Sequence, residues 1–186
     1  MIEILIKKDK ELLVFLNSLG SEQWDGFWLA ITNQFHWIPL FAFVFFLIIK
    51  AFGWKKGSFF IVATLIFVGF SDQFTNLIKD SVMRLRPNND ISINHLLRTS
   101  ITPQSFSFVS GHATTSTAFA VFIIFLLREK YKHIKFILLF PIFFAYSRLY
   151  LGVHFPIDIF CGFLTGITLA FIFYKLVIFL EKKLIL

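Results

Sequence analysis

The sequence predicts an all-α fold: a polytopic transmembrane helical bundle of five spans, preceded by one amphipathic helix in the membrane interface. Three observations carry that expectation. Of the 186 residues, 57% are hydrophobic and 28 are Phe, against roughly 45–50% apolar content in ordinary soluble domains. Mean hydropathy is +0.76. Charged residues make up only 16%, and they gather between long apolar runs, as in a chain that crosses a bilayer repeatedly.

Residues 2–19 mix Ile2, Leu5, Ile6, Leu12, Leu13, Leu16 and Leu19 with Glu3, Lys7, Lys10 and Glu11. At about 3.6 residues per turn these separate into two faces, so 1–20 reads as a helix lying in the interface. The cluster Lys7, Lys8, Asp9, Lys10 and Glu11 also breaks the apolar core that a signal peptide needs, and no cleaved leader is expected. Five runs then have the length to span, at about 20 residues of 1.5 Å rise each: 27–50 (its apolar core starting at Trp37), 57–79, 110–127, 134–151 and 156–180. No internal repeat or linker divides them, so 1–186 reads as one membrane-embedded domain.

Basic residues orient the bundle. Lys50, Lys55 and Lys56, then Arg128, Lys130, Lys132 and Lys135, then Lys182 and Lys183 fall on one side, which the positive-inside rule makes cytoplasmic. The external side receives the 80–109 loop, the 148–155 connection and the N-terminal helix. Lys7, Lys8 and Lys10 then lie outside, against the rule. A sixth span would remove that conflict but would bury Asn17, Ser21, Glu22, Gln23 and Asp25, so five is the expectation. The net charge of +7 sits at the ends of apolar runs, with no basic stripe in a polar context, and nucleic acid is not an expected partner. Cys161 is the single cysteine and permits no intrachain disulfide.

Three groups of polar residues reach the external face. Lys79, Arg84, Arg86 and Pro87 precede the polar stretch of about 88–104; Ser110, Gly111 and His112 follow it; Ser147, Arg148, His154 and Asp158 surround the last connection. Each suits phosphate. Lys79 and Arg86 are seven residues apart, so they share a face if the helix continues to Pro87, offering a point charge and a planar fork. Ser110 and Gly111 stand where a helix begins, with free N–H groups and the positive end of the dipole. His112 follows in the first turn, placed to exchange a proton with a bound oxyanion. His154 and Asp158 are four apart, and Pro156 is a favourable first helical residue. Asp158 can then orient one nitrogen of His154 and leave the other free to attack. With two histidines, one can attack phosphorus while the other protonates the leaving oxygen. Four cationic side chains can neutralise the transferring group, so no metal and no cofactor is expected. Taken one at a time, these cations read as interfacial snorkelling. Their gathering on the side that the positive-inside rule depletes argues for a site.

Lys79-x6-Arg86-Pro87, Ser110-Gly111-His112 and Ser147-Arg148-x5-His154-x3-Asp158 together resemble the tripartite signature of the type 2 phosphatidic acid phosphatase superfamily. The resemblance implies a metal-independent lipid phosphohydrolase with a helical membrane core. It implies His154 as nucleophile through a phosphohistidine, Asp158 as its orienting partner and His112 as the acid for the leaving group. Lys79, Arg86, Ser110, Gly111 and Arg148 would bind the phosphoryl oxygens. One departure stands out: Val109 occupies the place of the family's Pro, which bears on the rigidity of the helix entry more than on chemistry.

Asp72 and Asn76 lie on the Lys79 side of their helix, and Asp72 either supports the site or bonds to a neighbouring helix. Arg84 and Ser147 are further candidates for support. His36, His95 and His133 read as interfacial or loop residues, and Trp24, Trp28, Trp37 and Trp54 as interfacial anchors. The expected activity is dephosphorylation of an amphiphilic phosphate at the outer face of a bacterial cytoplasmic membrane, with the bilayer and the lipid as partners. By resemblance the candidates are undecaprenyl pyrophosphate, placed first, then phosphatidylglycerol phosphate, phosphatidic acid and lipid A phosphates. Transfer of the phosphate to a lipid acceptor, and a non-enzymatic transporter or scaffold, are the competing readings.

Overall fold

The computed structural model describes residues 1–184, and every regular element among them is helical. The order is α1 (Ile2–Ser18), α2 (Glu22–Thr32), α3 (Ile38–Val82), α4 (Gly111–Leu127), α5 (Leu139–Tyr150) and α6 (Pro156–Leu184), with short 3-10 turns between.

The first expected span is not continuous. Asn33 ends α2 in an extended conformation, and its side chain accepts the Phe35 N–H at 3.0 Å. A short polar side chain that captures a backbone donor competes with the helix ladder. His36 and Trp37 then fold back on the carbonyls of Ala30 and Ile31 at 2.8 and 2.9 Å. The apolar helix therefore starts at Ile38 rather than near Phe27. Gly53, at φ 74° and ψ 175°, divides α3 into 38–52 and 54–82, a left-handed conformation open to glycine. The two halves return on each other, and Val44 and Ile48 join Phe60, Ala63 and Phe67 in one cluster. Gln34–Asn89 and Pro156–Leu184 contain the helices long and apolar enough to cross a membrane among the described residues; α4 is apolar but shorter, at 17 residues.

The central helix is α4, packed against α3, α5 and α6. None of its residues is exposed, it is apolar from Ala118 onward, and Ala113, Ala118, Phe122, Ile123 and Leu127 are buried. A helix of that kind belongs inside a bundle. Gly162 and Gly166 set its distance from α6: a Cβ at 166 would lie 2.6 Å from the Thr114 carbonyl, and one at 162 would lie 3.0 Å from the Ser110 carbonyl. Small residues four apart allow this close crossing. As a result the start of α6 touches the start of α4, and the Ser110 N–H donates to the Asp158 carbonyl at 3.1 Å.

The helix expected over 2–19 is present, but its inward line is Asp9, Leu13 and Asn17. Two of these three are polar, so specific bonds dock α1. Asn17 donates to the Tyr150 and Arg98 carbonyls and accepts the Arg98 N–H. Lys10 pairs with Asp90 at 2.6 Å. These contacts hold α1, the 83–110 segment and the end of α5 together at one end of the bundle. At the other end Lys56, just after the Gly53 turn, pairs with Glu181 near the end of α6.

Candidate active site

The helix does not continue from Lys79 to Pro87. It stops at Val82, where Met83 adopts a left-handed conformation at φ 50° and its N–H caps the Lys79 carbonyl. That reversal turns the chain back over the helix ends, and Arg86 reaches the site from extended backbone. Arg86 is buried, and four of its five N–H donors meet oxygen or nitrogen acceptors. Nε and Nη2 donate to the carbonyl and hydroxyl of Ser105 at 2.6 and 2.9 Å; Nη1 donates to the Val153 carbonyl and to His154 Nε2, each at 3.0 Å. Burial pulls the Arg86 guanidinium down to about 10, which leaves it charged at neutral pH.

The Arg86 contact assigns the tautomer of His154. A guanidinium has donors and no acceptor, so the nitrogen it faces, Nε2, carries the lone pair. The ring proton is then on Nδ1, which lies 3.4 Å from Asp158 Oδ2 and 3.3 Å from Ser107 Oγ. His154 is almost wholly buried. Burial drives its imidazole down to about 3, against the Asp158 hydrogen bond. The ring is neutral at pH 7, with its lone pair turned toward the cations.

Asp158 stands in the first turn of α6 and is 0% exposed. A buried carboxylate is tolerated when its oxygens are satisfied, and these are. Oδ2 accepts the Phe155 N–H at 2.9 Å and the Ser107 hydroxyl at 2.5 Å; Oδ1 accepts Arg84 Nη1 at 2.6 Å. Arg84 therefore spends its charge on carboxylates. The other three cations of the motifs make no ion pair with a carboxylate among the described residues.

Those three are Lys79, Arg86 and Arg148, close enough to act on one another electrostatically. Lys79 lies over the start of α4, where a Cβ on Gly111 would sit 3.4 Å from its Nζ. Arg148 Nη1 donates to Thr32 Oγ1 at 2.6 Å, and its buried Nε has no hydrogen-bond partner among the described residues. Ser110 caps α4 by accepting the Ala113 N–H at 3.4 Å. The N–H groups of Gly111 and His112 precede the first bond of the helix ladder, which runs from Thr114 to Ser110. His112 stacks on Phe144 at 4.4 Å and lies within electrostatic reach of His154, Arg148 and Lys79. Val109, at the position of the family's Pro, is buried, and hydrogen bonds hold the segment around it: Ser107 N–H to the Arg84 carbonyl at 2.8 Å and Ser110 N–H to the Asp158 carbonyl.

Lys79, Arg84, Arg86, Ser110, Gly111, His112, Arg148, His154 and Asp158 thus meet at one end of the bundle. Ser147 does not join them: it donates to the Phe144 carbonyl of its own helix. Asp72 is exposed and bonded by Asn76 of its own helix at 3.4 Å, yet it lies within electrostatic reach of Lys79. Ser105, Ser107, Thr32 and Asp9 touch the site residues and fall outside the motifs. Ser107 is three residues ahead of Ser110 in a loop without periodicity, so only its bonds single it out.

The PAP2 superfamily model matches residues 58–181, a stretch containing all nine residues above. The lipid A 4'-phosphatase of Bacteroides thetaiotaomicron is 35% identical over 178 residues, 94% of this chain and 79% of the relative. The undecaprenyl-diphosphatase of Sulfolobus acidocaldarius is 30% identical over 161 residues, 87% of this chain and 67% of the relative. In fold, the chain is similar to the PAP2-type phosphatidylglycerolphosphate phosphatase of Bacillus subtilis, with a TM-score of 0.73 at 22% identity over 97% of this chain and 88% of that one. Motifs, site geometry and relatives agree: the chain belongs to the PAP2 superfamily.

Proposed function

We propose that this membrane protein is a lipid phosphatase that removes the 4'-phosphate of lipid A. The observation that carries the chemistry is the lone pair of His154 Nε2, aimed at Arg86 in the midst of the three cations. A phosphate monoester brings two negative charges at neutral pH, and a buried cluster of Lys79, Arg86 and Arg148 suits that charge. His154 Nε2 forms a bond to phosphorus as the bond to the sugar oxygen breaks, and that oxygen takes its proton from His112. Positive charge arising on the imidazole is stabilised by Asp158. Water then attacks the phosphohistidine and gives its proton to the now basic His112, the N–P bond breaks and inorganic phosphate leaves. The cationic side chains neutralise the transferring group, so the rate is expected to be insensitive to EDTA.

Kinship favours lipid A as the substrate. The sequence reading placed undecaprenyl pyrophosphate first, but the 35%-identical relative over nearly the whole chain is a lipid A 4'-phosphatase. The undecaprenyl reading stands second, supported by the 30% match. Segments 38–52 and 54–82 of α3, with α4, α5 and its 3-10 lead, and α6, supply five crossings. The basic residues at the Lys56–Glu181 end favour a cytoplasmic position for that end, which turns the site outward from the cytoplasmic membrane.

The test is purified protein in detergent, offered lipid A, undecaprenyl pyrophosphate and phosphatidic acid, with and without EDTA. Lipid A should give the highest kcat/KM, free phosphate, and a product lacking the 4'-phosphate by mass spectrometry. Preference for undecaprenyl pyrophosphate would move the assignment to the second reading. Label appearing in another lipid rather than in free phosphate would replace hydrolysis by transfer.

A further inference from the structure

Arg84 is held at both ends by carboxylates from opposite ends of the chain. Its guanidinium lies on the Phe155 ring at 3.9 Å. Nη1 donates to Asp158 Oδ1 at 2.6 Å, and Nη2 donates to Asp9 Oδ2 at 2.7 Å. The other Asp9 oxygen accepts the Ile157 N–H at 2.9 Å, in the first turn of α6. Asp9 is 4% exposed, although it belongs to a helix with Lys8, Lys10 and Glu11 as neighbours. It lies well before residues 58–181, the part that the family match covers.

The balance of charge gives this arrangement a purpose. A guanidinium facing one buried carboxylate would largely neutralise it. Shared between two, Arg84 leaves the trio with one net negative charge, so Asp158 keeps its pull on the imidazole. Geometry works the same way. Arg84 is partly exposed, at 22% of its side chain, and without Asp9 one end of the guanidinium is released. Asp158 Oδ1 would then depend on an unanchored partner.

We propose that Asp9 is a positioning residue for the reaction: it fixes Arg84 and, through it, the Asp158 carboxylate against His154. Helix α1 is then part of the catalytic apparatus as well as a membrane-surface element. The inference rests on reading His154 and Asp158 as the reacting pair.

The test uses the full chain in detergent, with phosphate release from lipid A and Tm measured on each variant. Asp9→Asn is isosteric and keeps an acceptor for Ile157. It should lower kcat by about 10–100-fold, the range of outer-shell orienting groups, with KM within about twofold. Asp9→Glu should recover most of that loss, because it restores the charge. In an Arg84→Gln background Asp9→Asn should add no more than about twofold, since residues acting through one partner are not additive. Lys10→Ala removes another α1 contact, the Asp90 pair, and should leave kcat unchanged. The proposal is overturned by near-wild-type kcat in Asp9→Asn, by multiplicative losses with Arg84→Gln, or by failure of Asp9→Asn to fold while Lys10→Ala folds. Full activity in His154→Ala would instead sink the reading of the site itself. An inactive His154→Ala beside an active Asp9→Asn rejects the relay alone.

Discussion

At one end of the bundle Phe122, Ile123 and Leu127 of α4 pack in one cluster with Phe67, which is stacked on Phe173 at 4.4 Å. At the other end the space between the same helices is filled by Arg86, Ser107, His154 and Asp158, bonded to one another and to backbone. In a bilayer, lipid tails are as apolar as the core, so the aromatic end gains from close contact rather than from water exclusion. The polar end is organised by satisfied hydrogen bonds and by a separation of charge. Lys79, Arg86 and Arg148 lie to one side of His154, and Asp158, Arg84 and Asp9 to the other. The aromatic end therefore tolerates substitutions that keep its volume, whereas the polar end depends on individual atoms.

That contrast is breakable. Arg86→Ala takes away four contacts and a charge proposed to meet the phosphate, and kcat/KM should fall about 10³-fold, as for loss of a preorganised oxyanion partner; steady-state kinetics on lipid A decides. Phe122→Ala, at the aromatic end, should cost about 3 kcal/mol of stability in detergent unfolding and leave kcat of the folded protein within about twofold. A large kcat loss there would mean that the two ends are not separable. Ser107→Ala leaves the geometry of Asp158 to Arg84 and Phe155 N–H, and kcat should fall by about tenfold, the worth of one to two hydrogen bonds. The smallest effect is on pH dependence. The folded His154 is held near 3, while the unfolded chain binds a proton near about 6.5. Between those values the unfolded state holds more protons, so stability falls as pH drops from about 6.5 toward 3. His154→Asn should flatten that part of a Tm-versus-pH series.

The helices were readable where hydrophobic runs end in basic clusters, as at Lys50, Lys55 and Lys56. The starts of α4 and α6 were readable from Ser110 and Pro156. The break at Asn33 was not, because the apolar content of 27–50 hides one side chain that captures the Phe35 N–H. The motif residues converge as their order suggested, but Arg86 arrives through the left-handed turn at Met83 rather than along a helix. Arg84 reads in sequence as one more cation, and only its two carboxylate bonds reveal that its charge is already spent. Asp9 and Ser107 act through contacts 148 and 51 residues away, and no local pattern encodes partners that distant.

The proposed reaction has His154 as the group that attacks phosphorus. The most direct measurement is phosphate release from lipid A by purified His154→Ala, with Tm recorded to establish that the variant is folded. We predict a folded protein whose kcat falls by about 10⁴-fold or more, the scale for loss of a nucleophile. A folded His154→Ala that releases phosphate at an undiminished rate would contradict it.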